Sequence, residues 1–205
     1  MATSKSGKRR AKDSPDGTEL LVLELQQIHS AESQLARALP RLAKSAESEK
    51  LRQSLETRLT EGERVLKDVE TALEELEESP GRKKNVAAEG LIADAREHVQ
   101  EIATGPALDE VLIAAIQKTE HYCIAAWGTA RSLAQALDRK TVVRAMERAL
   151  KEGKAYDEQL TQLAETQIMP ALLQGESADE NAEEERQDGS GRNRGSERTE
   201  RRTST

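Results

Sequence analysis

Apolar residues recur along the chain with the spacing of α-helices. Between residues 18 and 173 they step by three and four positions, and no stretch shows the strict alternation of a β-strand. Turn-forming and helix-capping residues interrupt this pattern at four places, which predicts four long helices and one short helix. The predicted ranges are 18–46, 49–79, 86–103, 106–137 and 141–170.

The residues at these interruptions are ones that begin or end helices. Asp16, Ser48 and Asn85 can accept hydrogen bonds from the first free amides of a helix, and Thr141 is expected to do the same for the last one. Pro106 suits the first position of a helix, where no amide hydrogen is needed. The fold class is therefore all-α. The order of lengths indicates an up-down four-helix bundle with the short helix in the long connection between the second and third long helices.

Composition supports this fold. Aromatic residues make up 1% of the chain and charged residues 34%, whereas sandwiches and barrels need aromatic and β-branched residues on pleated surfaces. The longest apolar run, at 111–116, is far shorter than the roughly 20 residues that cross a bilayer. No secretory signal is evident at the start, and Cys123, the only cysteine, has no internal disulfide partner. A cytoplasmic protein without membrane attachment is expected.

Charge divides the chain into three parts. Residues 1–17 hold five Lys or Arg and two Asp, and residues 175–205 hold nine Asp or Glu and six Arg. Both segments are poor in apolar residues, so they cannot bury enough surface to offset the entropy lost on ordering. The predicted organisation is a disordered basic tail at 1–17, a helical bundle at 18–173 and a disordered charged tail at 174–205.

Three acids fall on apolar lines of the predicted helices. Glu32 interrupts the line through Ile28 and Leu35, while Glu120 and Asp157 do the same in the third and fourth long helices. Glu61 lies at the shoulder of the line in the second. A buried carboxylate is costly unless it is paired, protonated or bound to a cation.

Two interpretations of these acids remain open. Carboxylates from several helices at one level form metal sites in four-helix bundles, and oxygen ligands suit iron or manganese. Alternatively, the acids form a structural polar layer, hydrogen-bonded to Tyr156, His29 or Arg58, that sets the helix register without metal. In that second case Arg58 neutralises a carboxylate.

Several segments resemble the YciF/YciE stress-protein family. They include Ser30 to Leu35, Glu89 to Ile92, Gln117 to Tyr122 and Lys154 to Asp157, with the Glu-His-Tyr at 120–122 the most specific. The resemblance spans residues 19–167. It implies a ferritin-like bundle, usually dimeric and cytoplasmic, that takes part in stress responses and carries a two-metal carboxylate centre.

Carried onto this chain, the resemblance gives a set of candidate metal ligands for iron or manganese. These are Glu32, Glu61, Glu120 and Asp157, with Glu152 and His121 at the margin. The chain departs from the family pattern at Cys123 and Gly153, where the family has further glutamates. It also departs at Arg58 and Val65, where histidine or glutamine is common. These changes predict a reduced metal centre and leave open whether the protein is an enzyme.

Two other functions compete with the metalloprotein. A metal-free bundle could act as a structural or interaction protein, and the charged tails could contact nucleic-acid phosphates without sequence preference. The tails contain no interleaved aromatic residues for base stacking, which disfavours the nucleic-acid hypothesis. The sequence contains no phosphate-binding glycine loop and no recognisable catalytic motif, and it identifies no small-molecule substrate.

Overall fold

The computed structural model describes residues 14–175, and within this range the chain forms α-helices and no β-strand. The helices are α1 (Gly17–Ser45), α2 (Glu49–Glu74), α3 (Val86–Glu101), α4 (Pro106–Ala136) and α5 (Lys140–Leu163). The predicted all-α bundle is confirmed. The predictions for residues 1–13 and 176–205 lie outside the described residues. Over residues 14–175, no helix combines the length and apolarity that a membrane crossing requires.

Most helix starts follow the predicted caps. Asp16 and Glu19 form a reciprocal capping box at α1, and the side chains of Ser48 and Asn85 cap α2 and α3. Thr141 is not a cap, because α5 already begins at Lys140 without a side-chain cap. α2 ends at Glu74, five residues earlier than predicted, and left-handed Glu77 follows in the turn.

The last helix continues beyond its predicted end at Pro170. A π-helical turn at Ala164–Ile168 precedes the proline, with the Met169 amide donating to the Ala164 carbonyl, and helical residues continue to 175. Proline lacks an amide hydrogen, and its ring clashes with the carbonyl four residues earlier in a regular α-helix. The wider turn absorbs this misfit, so Pro170 alters the helix without ending it.

The four long helices pack in the cyclic order α1, α2, α5, α4. Asp109, in the first turn of α4, accepts the Glu47 and Ser48 amides just beyond the end of α1, so α1 and α4 are antiparallel. Ion pairs of Arg64 with Glu152 and of Asp68 with Arg148 show that α2 and α5 are antiparallel too. α2 and α4 therefore run in the same direction on opposite corners of the bundle.

The long connection between α2 and α4 returns along the outside of the bundle. It contains α3, which packs against α1 and α4. Asn85 anchors its start, because its backbone amide donates to the Ser30 hydroxyl and its side-chain amide donates to the Gln27 carbonyl.

A charged layer divides the core into two apolar halves. One half includes Leu35, Leu55 and Ile116, and the other includes Ile28, Val65 and Cys123. In sequence, Glu32, Arg58 and Glu120 fall between the members of the two halves on α1, α2 and α4. This layer is the candidate functional site.

Candidate functional site

The charged layer consists of Glu32, Arg58 and Glu120, and each of these residues is 1% exposed. Glu32 follows Ile28 by four residues and precedes Leu35 by three, so it lies on the buried face of α1. Glu120 holds the same place in α4 between Ile116 and Cys123. The helical period therefore directs both carboxylates into the bundle, as the sequence predicts.

Arg58 connects the two carboxylates. Its Nη2 and Nη1 donate to Oε1 and Oε2 of Glu32 at 3.0 and 3.2 Å, and its Nε donates to Oε2 of Glu120 at 2.6 Å. The contact to Glu32 is bidentate, which fits the planar guanidinium. One side chain from α2 thus bonds to α1 and α4 at once.

Trp127 and two glycines shape the space around this arginine. The Arg58 guanidinium carbon lies 5.7 Å from the centre of the Trp127 ring, within cation–π distance. A Cβ at Gly62 would come within 2.9 Å of Arg58 Nη1 and of Glu32 Oε2. A Cβ at Gly153 would come within 2.5 Å of Trp127 Cζ3 and 2.6 Å of Glu120 Oε1. Both glycines therefore make room for the charged layer and its aromatic neighbour.

The charges of the layer perturb one another's ionisation. Burial lowers the pKa of Arg58, but Glu32 and Glu120 outweigh this effect and raise its pKa above the ordinary value. Burial raises the pKa of Glu120 to about 6, against the opposing influence of Arg58. Burial, and then the Glu32 carboxylate, raise the pKa of the Cys123 thiol. Burial thus favours the protonated form of the Cys123 thiol.

Glu61 and Glu152 lie beside the layer, outside the hydrogen bonds that Arg58 donates. Glu152 forms a two-point ion pair with Arg64, in which Nη1 donates to Oε1 at 2.9 Å and Nη2 donates to Oε2. Glu61 is half-buried, and burial raises its pKa while Arg58 lowers it. Both acids border a cavity of about 10 Å³ next to Glu120.

Asp157 and His121 lie at the edge of the bundle rather than in the charged layer. Their side chains are 21% and 68% exposed, and they pair with each other at 3.4 Å. The buried line of α5 runs through Gly153, Tyr156 and Leu160, so Tyr156 occupies the core position that the sequence assigned to Asp157. Among the other proposed partners of the buried acids, His29 contacts Glu70 instead.

The residues present do not fit a carboxylate-bound metal pair. In the described part of the chain, no group of three or more His, Cys, Asp or Glu could hold a metal ion. Three carboxylate oxygens that could serve as ligands already accept hydrogen bonds from Arg58. The adjoining cavity of about 10 Å³ is about one water-sized probe, whereas two bridged metals stand roughly 3.5–4 Å apart.

Arg58 was predicted only as one of three possible partners of the buried acids and not as the centre of the site. The signal was present in α2, where Leu55, Arg58, Gly62 and Val65 step by three and four and all are buried. A cation on this line opposite acids on two other lines indicates pairing. The roles of Trp127 and Gly62 are visible only in three dimensions.

Comparison with known proteins places this chain in a family. Residues 16–172 match a family described as a domain of unknown function, DUF892. The chain is 39% identical to protein YciF of Escherichia coli over 141 residues, which cover 68% of this chain and 85% of that protein.

Two solved structures share the fold. The stress protein YciF of E. coli superposes with a TM-score of 0.71 at 36% identity, covering 74% of this chain and 96% of the other. YcfI of Rhodopseudomonas palustris, described as a candidate structural protein, gives a TM-score of 0.70 at 31% identity, covering 75% and 98%. The predicted resemblance is confirmed, and the chain belongs to the DUF892 family of YciF-like proteins.

Proposed function

We propose that this chain is a metal-free structural or interaction protein of the YciF-like stress-protein family, in which Arg58 supplies the positive charge that a metal would otherwise supply. The observation that carries the proposal is the set of hydrogen bonds from one buried guanidinium to Glu32 and Glu120. These bonds join α1, α2 and α4 at mid-height, so the layer fixes the register of the bundle.

Charge balance supports this proposal. Two ionised carboxylates with one guanidinium leave a single negative charge in the layer, and protonation of Glu120, with a pKa of about 6, removes it. A divalent pair added to the same layer would produce an excess of positive charge around a buried arginine. Such an arrangement is disfavoured in a low-dielectric core.

The steric fit of the charged layer supports the metal-free proposal independently. The absence of side chains at Gly62 and Gly153 leaves space that Arg58, Glu32, Glu120 and Trp127 fill. A glutamate at position 153, as in the family pattern, would collide with the Trp127 ring. Arg58, Gly153 and Trp127 therefore act as one compatible set that replaces ligand side chains.

Iron or manganese binding stays a prediction of the sequence. It would need Arg58 to release Glu32 and Glu120, and Arg64 to release Glu152. It would also need Asp157 to turn away from His121 at the bundle edge. The first changes break existing ion pairs and the last breaks the contact between Asp157 and His121, which is why the metal-free function is preferred.

Metal analysis tests the proposal. The full chain, purified without chelator, is measured for iron, manganese and zinc, and its melting temperature is compared with and without Fe(II) or Mn(II). Less than one equivalent of metal and an unchanged melting temperature are expected, because a ligand that binds only the folded state would raise it.

A bound equivalent of metal that disappears in a Glu32→Gln, Glu120→Gln double variant would overturn the proposal. The Glu147→Gln variant is the matched control for metal held at the bundle surface, because its carboxylate is exposed, pairs with Arg131 and is not among the candidate ligands.

The proposal keeps a cytoplasmic location and a homodimer as expectations. The large apolar side chains exposed on the described surface include Leu20 and Leu23 at the start of α1, which offer area for an interface. Light scattering on the full chain tests the dimer, with the mass of one chain as the contradicting result. Association of the tails with nucleic acid remains the weaker alternative, since the chain carries a net charge of −7.

A further inference from the structure

A small pocket lies between α1 and α3, outside the charged layer. It has a volume of about 220 Å³ and is lined by Gln34, Arg37, Lys84, Glu89, Ile92 and Arg96. Ile92 is buried at its base, while the three cationic side chains are exposed. The pocket is smaller than the roughly 300–1,000 Å³ typical of drug-sized ligands, so its occupant is a small group.

The two helices that form the pocket are held together locally. The Gln34 side-chain amide donates to the Asn85 carbonyl at 3.0 Å, and the Asn85 amide donates to the Ser30 hydroxyl at 2.9 Å. These bonds fix the start of α3 against the middle of α1. The stems of Arg37 and Arg96 are thereby brought to the same pocket from two helices, which reduces the ordering needed on binding.

The pocket is basic in an acidic protein. Arg37, Lys84 and Arg96 face one acid, Glu89, which gives the pocket a charge of about +2 against the net −7 of the chain. Lys84 Nζ already bonds Glu89 Oε1 at 2.6 Å. Within residues 14–175, neither Arg37 nor Arg96 has an acidic partner, so two guanidinium groups are free to bind an anion.

We propose that this pocket binds a phosphate group, as inorganic phosphate or as a phosphomonoester. A phosphate carries about −1.5 to −2 charges near neutral pH and matches the charge of the pocket, whereas one carboxylate would balance only half of it. The planar guanidinium groups of Arg37 and Arg96 suit bidentate contacts to phosphate oxygens. Extended polyanions such as nucleic acid are disfavoured, because the rest of the chain carries the excess of acids.

Isothermal titration of the full chain tests this site. Inorganic phosphate is titrated at constant ionic strength maintained with chloride, into the wild type and into the Arg37→Gln and Arg96→Gln variants. One saturable site is expected in the wild type, weakened by about tenfold or more in each variant. Arg41→Gln is the matched control, because Arg41 lies one turn further along α1, is exposed and does not line the pocket.

A second titration with phosphoserine distinguishes the two sources of the phosphate group. Binding that depends on Arg37 and Arg96 identifies a phosphomonoester ligand, and dependence for inorganic phosphate alone identifies the free ion; both results support the site. The proposal is overturned if no saturable binding occurs, if Arg41→Gln weakens binding as much as Arg37→Gln, or if acetate binds as well as phosphate.

Discussion

Arg58 donates a hydrogen bond of 2.6 Å from Nε to Glu120 Oε2, although α2 and α4 occupy opposite corners of the bundle. The two terminal guanidinium nitrogens of Arg58 donate to Glu32 of α1 at the same time. The arginine therefore crosses the bundle axis and occupies the centre of the charged layer. This placement underlies both the stability of the layer and its poor fit to a metal pair.

Removing the arginine is expected to destabilise the fold strongly. Arg58→Met keeps an unbranched side chain but leaves two buried carboxylates without a counter-charge, which costs about 3–5 kcal/mol of unfolding free energy. Urea denaturation followed by circular dichroism measures the change.

Arg64→Met is the matched control on the same helix. Arg64 and Glu152 are about one-third exposed, so the loss of their ion pair is expected to cost at most about 1 kcal/mol. Equal losses of unfolding free energy in Arg58→Met and Arg64→Met would show that the burial of Arg58 does not increase the cost of removing it.

Replacing all three charges should recover much of the lost stability. The Glu32→Leu, Arg58→Met, Glu120→Leu variant fills the layer with apolar side chains and removes every charge of the layer. Exchanges of this kind are often neutral, or stabilising by about 1–4 kcal/mol, relative to the ion pair. Its urea midpoint should exceed that of Arg58→Met, and a midpoint at or below it would contradict the assignment of the loss to unpaired charge.

The missing side chain at position 153 is predicted to be a structural requirement. Gly153→Ala introduces a Cβ against Trp127 and Glu120, and such overpacking costs typically about 1–3 kcal/mol. Gly128→Ala in α4 is the control: its Cβ meets no atom within 4 Å, and alanine gains up to about 1 kcal/mol in a helix interior. Thermal unfolding and Trp127 fluorescence should separate the variants. If Gly153→Ala raised the melting temperature as much as Gly128→Ala, the tight packing at position 153 would be contradicted.

Glu120 is expected to impose a pH dependence on stability. Its pKa rises from an ordinary 4.5 to about 6 on folding, so the folded state binds more protons between these values. The raised pKa of Glu120 therefore contributes about 2 kcal/mol to the unfolding free energy below pH 4.5. This contribution is lost as pH rises through about 6.

Other carboxylates also titrate in this range, so the comparison is with Glu120→Gln, which cannot ionise. Relative to that variant, the wild type should lose unfolding free energy as pH rises from 4.5 to 6.5. A constant difference, or one of opposite sign, would show that burial does not raise the pKa of Glu120.

Much of the fold could be predicted from the sequence because its helices carry regular apolar lines and standard caps. Glu32 and Glu120 were placed correctly, since three- and four-residue steps on either side fix their face. The predicted end of the last helix at Pro170 was wrong. A π turn, which has no clear sequence pattern, precedes the proline and allows the helix to continue.

The site was harder to predict because it depends on the rotation of whole helices. A shift of one residue on α5 exchanges Tyr156 for Asp157 in the core, and the prediction that Asp157 lies on the apolar line of α5 was wrong. The centre of the layer depends on a contact between α2 and α4, which are 62 residues apart at Arg58 and Glu120. The apolar periodicity of a single helix contains no information on contacts between residues so far apart in sequence.

A crystal structure grown in the presence of Mn(II), with data collected at the manganese absorption edge, tests the replacement of metal by Arg58 most directly. We expect continuous density from the Arg58 guanidinium to both Glu32 and Glu120, and no anomalous peak between the two carboxylates. An anomalous peak bonded to these carboxylates, with Arg58 displaced from the layer, would contradict the account.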